Sequence, residues 1–411
     1  MFLQRVARKF LRRNYSKKEN FLILGIETSC DDTGAAVLDS NGRILGEALQ
    51  SQLSVHLKNG GIIPPLAQDM HRENIVSVVN SALTTAGVAV KDVDAIAVTN
   101  RPGLPLSLLI GLRYGKHLAR NQGKPLIPIH HMEAHALTVR MTTAVDFPFI
   151  CLLASGGHCQ LSLVKSLSEF YLLGESMDDA PGEAFDKIAR QMNIHNHPDY
   201  RSMSGGAAIE TAARKAKNPG RFEFPLPLAH MRDCQFSFSG LKNSARRHIL
   251  AHGKEFQVGP GEMIPYFEDF CSGFLRAITR HLCHRTQRAM EFCEREGLVD
   301  ENGIKSLVFG GGVACNDFIF EAISQLGESR GYNTYRPEKK YCTDNGVMIA
   351  WNGVEKFKEG LGVVDDLDSV DIEPKCALGT SLVDKVKESH IACKWEKIPL
   401  LREGINQVVA N

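Results

Sequence analysis

Phe21-Leu22-Ile23-Leu24-Gly25-Ile26 runs into Glu27-Thr28-Ser29-Cys30-Asp31-Asp32-Thr33-Gly34 and returns as Ala35-Ala36-Val37-Leu38. The first run is short and wholly apolar, as a buried strand is; the second is a polar turn. Ala35–Leu38 reads as the returning strand, Ser40-Asn41-Gly42 as a hairpin turn, and Arg43–Leu49 as a third strand. The same order begins again at Phe149-Ile150-Cys151-Leu152-Leu153-Ala154. There the polar turn is Ser155-Gly156-Gly157-His158 and the return is Gln160-Leu161-Ser162-Leu163-Val164. A strand–polar turn–strand unit used twice predicts a duplicated α/β fold.

Outward from these hairpins the pattern alternates. A helix is expected from about His71 to Ala86, a buried strand over Ala95–Thr99, and a helix from about Pro105 to Asn121. Leu126–Ile129 reads as a strand leading into a helix that carries His131 and His135. Ser306–Phe309 leads into Gly310-Gly311-Gly312 and a helix from about Asn316, a strand–glycine loop–helix unit of the kind found at α/β nucleotide sites. The stretch 194–261, rich in His, Pro, Arg and Gly, reads as an irregular insertion carrying site loops, with helices after it to about Glu296. The expected layout is a presequence over 1–20, an N-terminal lobe over 21–148, a C-terminal lobe over 149–357, and a less regular extension over 358–411.

Composition narrows the class. The chain has 411 residues, 43% apolar and 23% charged, which suits a globular protein with more than one core. No apolar run is long enough to span a bilayer, so no membrane insertion is expected. The 11 cysteines are scattered without a CxxC pair, which speaks against a disulfide framework and for a reducing compartment. Arg5, Arg8, Lys9, Arg12, Arg13, Lys17 and Lys18 crowd the first 20 residues against a single acid, Glu19, with apolar residues at helical spacing. That pattern suits a mitochondrial presequence. The remainder is slightly acidic, so any RNA contact must come from a local patch; Lys242, Arg246, Arg247, Lys339 and Lys340 supply two.

Two features carry chemistry. Three polar turns follow buried strands, at 27–34, 155–158 and 310–312, and glycine there lets backbone amides close on a phosphate. The second feature is His131-Met132-Glu133-Ala134-His135. At 100° per residue the two histidines lie about 40° apart on one helix face and can grip one metal. A zinc protease would place its glutamate directly after the first histidine, but that position is Met132. Glu133 points about 160° away from the pair. The best third ligand is Asp344 in Cys342-Thr343-Asp344-Asn345-Gly346. Two imidazoles and a carboxylate suit one divalent ion, Fe2+ first and Zn2+ next.

These segments, with Gly182-Glu183-Ala184-Phe185-Asp186-Lys187, Phe236-Ser237-Phe238-Ser239-Gly240-Leu241-Lys242 and Gly310-Gly311-Gly312-Val313-Ala314-Cys315-Asn316, resemble the signatures of the tRNA N6-adenosine threonylcarbamoyltransferase family, most of all its animal mitochondrial branch. The resemblance spans about 22–357. It implies an ASKHA (actin/sugar-kinase/Hsp70-like) fold of two duplicated lobes with a cleft between them. It implies transfer of a threonylcarbamoyl group from threonylcarbamoyl-adenylate, made by an upstream synthase, to N6 of adenosine 37 beside the anticodon. AMP is released, and the substrates are mitochondrial tRNAs reading codons that start with A. By match, His131, His135 and Asp344 bind the metal, and Ala154, Ser155, Gly156, Gly157, His158, Asp186, Gly206, Glu210 and Asn316 bind the adenylate. The branch implies a homodimer in the mitochondrial matrix. Two positions depart from the family: Arg101 stands where most members have glycine, and Ser204 where many have proline.

A kinase or ATPase would share the fold, but Mg-ATP sites seldom use imidazole. A protein deleted for residues 1–20 is expected to stay active yet remain in the cytosol when expressed in cells. Fractionation checks this, and unchanged mitochondrial recovery would refute it.

Overall fold

The computed structural model describes residues 18–299, 303 and 305–403. Residues 1–17, and with them most of the expected presequence, lie outside the described residues. The chain divides into two compact units. The first runs through Ala144 and takes in Thr343–Leu378; the second is Val145–Cys342 with the chain from Gly379.

In the first unit β1 (Leu22–Glu27), β2 (Asp32–Asp39), β3 (Ile44–Ser51), β4 (Ala95–Arg101) and β5 (Leu126–His130) form a sheet of order β3-β2-β1-β4-β5. The pairs β1–β2 and β2–β3 are antiparallel, and β1–β4 and β4–β5 are parallel. The helices are α1 (Leu53–Asn59), α2 (Pro64–Ala86), α3 (Pro105–Gln122) and α4 (His131–Leu137). α2 starts before the expected His71 because Pro64 and Pro65 suit a first helical turn, where no amide donor is needed.

The second unit repeats the design. β6 (Phe149–Ala154), β7 (Cys159–Ser166), β8 (Glu169–Glu175), β9 (Lys305–Gly310) and β10 (Tyr332–Tyr335) take the order β10-β9-β6-β7-β8, with β11 (Thr380–Ser381) beside β8. Antiparallel and parallel pairs fall at the equivalent places. Its longer helices are α5 (Pro181–Gln191), α6 (Gly205–Ala213), α7 (Ser239–Glu255), α8 (Phe267–Arg295) and α9 (Asp317–Ser329). Stretch 194–261 is thus not an irregular insertion, since α6 and α7 lie in it. α6 opens on two glycines that read as loop, and Ser204 caps it by accepting from the Ala207 amide. α7 hides behind its basic residues, but Leu241, Ala245 and Ile249 bury a stripe at helical spacing.

α10 (Gly346–Lys358) belongs to the first unit and not, as a boundary at 357 requires, to the second. It lies on β1 and β2 closer than side chains permit. A Cβ on Gly25 would sit 2.3 Å from the Ala350 amide nitrogen, and one on Gly34 2.6 Å from that of Gly346. From the helix side, a Cβ on Gly346 would meet Ala35 at 2.4 Å, and one on Gly353 the Ala97 side chain at 2.7 Å. The expected extension divides likewise. Val364 exchanges backbone bonds with Leu126 in the first unit, whereas Trp395 stacks on His284 of α8 in the second, ring centres 3.8 Å apart. Among the described residues no helix is long and apolar enough to cross a membrane.

Gly25→Ala is expected to destabilise by about 1–3 kcal/mol, because backbone must move to admit the methyl group. Gly253→Ala, in a helix with open space around it, is expected to be neutral or stabilising by up to about 1 kcal/mol. Chemical denaturation of both variants checks the contrast.

Candidate active site

α4 begins where β5 ends. His130 caps it by accepting from the Met132 amide, so His131 and His135 fall on the first and fifth helical positions. Both are buried. Asn345 caps α10 from the residue before it, which places Asp344 just ahead of the helix. The three side chains converge. His135 Nε2 lies 3.0 Å and His131 Nε2 3.5 Å from Asp344 Oδ1, and a ligand atom from each residue falls within 4.8 Å of the others. The imidazoles stand edge-on at 89°.

A buried carboxylate stands behind this triad. His131 Nδ1 is 3.4 Å from Glu27 Oε2 and 3.0 Å from Ser29 Oγ. Glu27 also accepts from the Ser29 amide and the Thr99 hydroxyl. With Nδ1 so occupied, His131 is held with Nε2 toward Asp344, the arrangement that fixes an imidazole as a metal ligand. Burial pushes the Glu27 carboxyl up, but the charge and hydrogen bond of His131 outweigh it, and the group stays below the usual carboxylate range. Burial pulls His131 down, but Asp344 and Glu27 raise it to about 9. Burial raises the Asp31 and Asp32 carboxyls, Asp32 to about 7, and the charge of Asp344 adds to both. Asp344 and Glu27 against the histidines, with Asp31 and Asp32 in the field of Asp344, favour a cation, and the two-imidazole, one-carboxylate donor set fits a divalent ion. Glu27 and Ser29 are legible in the sequence only as parts of a polar turn; the one signal is an acid closing a buried apolar strand.

Glu133 takes no part. Its Oε2 accepts from Lys356 Nζ of α10 at 2.7 Å, as helix geometry requires of a residue facing away from the pair. Arg101 also has a partner, since it pairs with Glu373 at 3.4 Å, and the Glu373 amide bonds the Asn100 carbonyl.

The residues matched to an adenylate site all lie in the second unit, in a closed circuit of contacts. Ser155 bonds His158 across the glycine turn, and its carbonyl accepts from Gly182 at the head of α5. Asp186 on α5 accepts from the Gly205 amide, beside Gly206, at the head of α6. Glu210 on α6 accepts from the Asp317 and Phe318 amides at the head of α9. Asn316 caps α9 through Oδ1, while its Nδ2 is buried with no partner among the described residues. Gly311, at φ +85°, closes the circuit: a Cβ there would lie 2.4 Å from the Ala154 carbonyl oxygen. Of the expected RNA-contacting lysines, Lys242 is bound to Asp179 and Lys339 to Asp317.

Two sheets of one strand order define an α/β protein of the actin/sugar-kinase/Hsp70-like class. Fold similarity at 16% identity extends to the HypF structure from T. kodakarensis, over 83% of this chain and 49% of that one, at a TM-score of 0.51. The family model for tRNA N6-adenosine threonylcarbamoyltransferase matches residues 43–351. A Drosophila melanogaster protein named as the probable mitochondrial tRNA N6-adenosine threonylcarbamoyltransferase is 49% identical over 91% of this chain and 92% of its own length. The Homo sapiens mitochondrial enzyme of that name is 46% identical over 93% and 91%. The chain belongs to the tRNA N6-adenosine threonylcarbamoyltransferase family, acyltransferases that modify adenosine in tRNA.

Glu210 supports a helix end whatever else it binds. Glu210→Ala is expected to cost about 1–2 kcal/mol, as loss of a cap does, and Glu210→Gln, which keeps an acceptor, less than half of that. Unchanged thermal melting of the alanine variant would contradict the capping role.

Proposed function

We propose that the chain transfers threonylcarbamoyl from threonylcarbamoyl-adenylate, supplied by an upstream synthase, to N6 of adenosine 37 in mitochondrial tRNAs, with release of AMP. The setting is the mitochondrial matrix, and the working form is a homodimer; the mitochondrial names of the animal relatives support the location. His131, His135 and Asp344 hold one divalent ion, Fe2+ or Zn2+. The observation that carries this is the meeting of their three ligand atoms in front of buried Glu27.

The donor is a mixed carbamic–phosphoric anhydride, already activated, and the acceptor amine is weak because its lone pair is delocalised into adenine. The protein must therefore orient the two and stabilise charge on the departing phosphate and carbamoyl oxygen. At the Ser155–His158 turn the Gly157 and His158 amides donate to Ser155 Oγ, which holds the turn, and Gly156 and Gly157 have open space around them that a phosphate can enter. Asn316 Nδ2, buried without a partner among the described residues, is a donor waiting for an acceptor. A bound divalent ion would supply Lewis-acid stabilisation of negative charge. Glu27 keeps the His131 ring in its ligating orientation.

Asp344→Ala is expected to lose metal and modified tRNA together, whereas Glu133→Gln keeps both to within a few-fold. Elemental analysis beside nucleoside mass spectrometry reads the two variants. A metal-replete, transfer-dead Glu133→Gln with a fully active Asp344→Ala would overturn the assignment and restore the protease-like one.

A further inference from the structure

An enzyme that modifies a base in a tRNA loop must also hold the polyanion that carries it. We propose that the solvent face of α7, with the aromatic pair at its C-terminal end, is the docking face for the anticodon arm of the tRNA. This rests on the transferase reading and names the surface that reading needs.

α7 presents Asn243, Arg246, Arg247, Leu250 and Lys254 within about 100° of one another around its axis, opposite the buried stripe of Leu241, Ala245 and Ile249. Arg246, Arg247 and Leu250 are exposed, Leu250 to 61%. Lys242 and Lys339 spend their charge on Asp179 and Asp317. Arg246, Arg247 and Lys254, by contrast, carry no ion pair among the described residues. The helix contains one acid, Glu255, at its last position. From Arg246 to Lys254 the cations extend about 12 Å along the axis, a row able to follow successive phosphates.

The row ends on rings. Phe256 and Tyr266 are 43% and 45% exposed, meet edge-on with centres 6.2 Å apart, and have the Arg221 guanidinium 3.6 Å from the Tyr266 ring centre. Tyr266 adopts φ +61°, a conformation costly for an aromatic residue. Exposed aromatic rings beside cations are what unpaired bases stack on.

The face is also placed for the reaction. α7 packs on α5, the helix that carries Asp186. Asp178 anchors its first turn by accepting from the Phe238 amide and the hydroxyls of Ser237 and Ser239. Lys242 and Lys187 share Asp179, which ties α7 to α5 a second time. RNA held on α7 is thereby held in register with the residues matched to the donor site.

The test is binding of an unmodified mitochondrial tRNA transcript by the full chain across a salt series. Replacing Arg246, Arg247 and Lys254 together with glutamine is expected to weaken binding about tenfold or more. The log–log salt slope should flatten by roughly 2, at about 0.7–0.9 for each phosphate no longer neutralised. Arg246→Lys with Arg247→Lys keeps the slope. Phe256→Ala with Tyr266→Ala weakens binding roughly five- to hundredfold with the slope unchanged, because stacking is not a charge effect. A melting curve confirms that each variant is folded. A folded triple variant with wild-type affinity and slope overturns the docking face and leaves the transferase reading standing. Wild-type protein that neither binds nor modifies the transcript overturns both.

Discussion

The seating of α10 on β1 and β2 is the contact on which the site depends. Gly25, Gly34 and Gly346 let helix and sheet backbones meet with nothing between them, and Gly353 makes room for the Ala97 and Ile23 side chains. Asp344 stands immediately before that helix, so the depth of seating sets how far its carboxylate reaches toward His131 and His135. A carboxylate contributed from so late in the chain cannot be aimed by local structure. It is aimed by a helix that has one place to sit, because any Cβ at those glycines would push it out. Ligands then meet to within ångströms although they are far apart along the chain.

Electrostatics completes what packing begins. The first polar turn sets Glu27 against His131 and brings Asp31 and Asp32 into the field of Asp344. Burial and mutual repulsion make this cluster costly unless a positive charge joins it. A proton on His131 meets part of that need, and a cation on the three converging ligands, which must displace that proton from Nε2, would meet more. Glu27 has the double task of adding to the negative field and fixing the ring it contacts.

The duplicated hairpin has been put to two uses. In the first unit the turn between β1 and β2 is acidic and serves the histidine pair. In the second, the turn between β6 and β7 is glycine-rich and joins the circuit through α5, α6 and α9. Glu210 and Asn316 show how binding groups and structural groups coincide there: both cap α9, yet Asn316 retains a spare donor. Three helix N-termini stand in that circuit, and their dipoles favour a phosphate although the Gly182, Gly205, Asp317 and Phe318 amides are already taken within it.

The repeated strand–polar turn–strand pattern was enough, by itself, to determine the duplicated fold, because alternation of apolar runs and polar turns is a local property. The helical spacing of His131 and His135, and the exclusion of Glu133 from their face, were equally local and followed from 100° per residue. The sequence concealed α6 and α7, whose glycines and basic residues mask a short apolar stripe. It also misplaced α10, because membership of a unit is decided by what a helix packs on and not by its position along the chain. Glu27 could not be picked out from its turn, since its role exists only where His131 Nδ1 meets it. Which basic residues stay available for RNA was likewise beyond reach: Lys242 and Arg246 read alike in sequence, and only tertiary contact with Asp179 sets them apart. Periodicity is written in neighbours along the chain, whereas pairing of charges and closeness of backbones are settled by residues far apart in it.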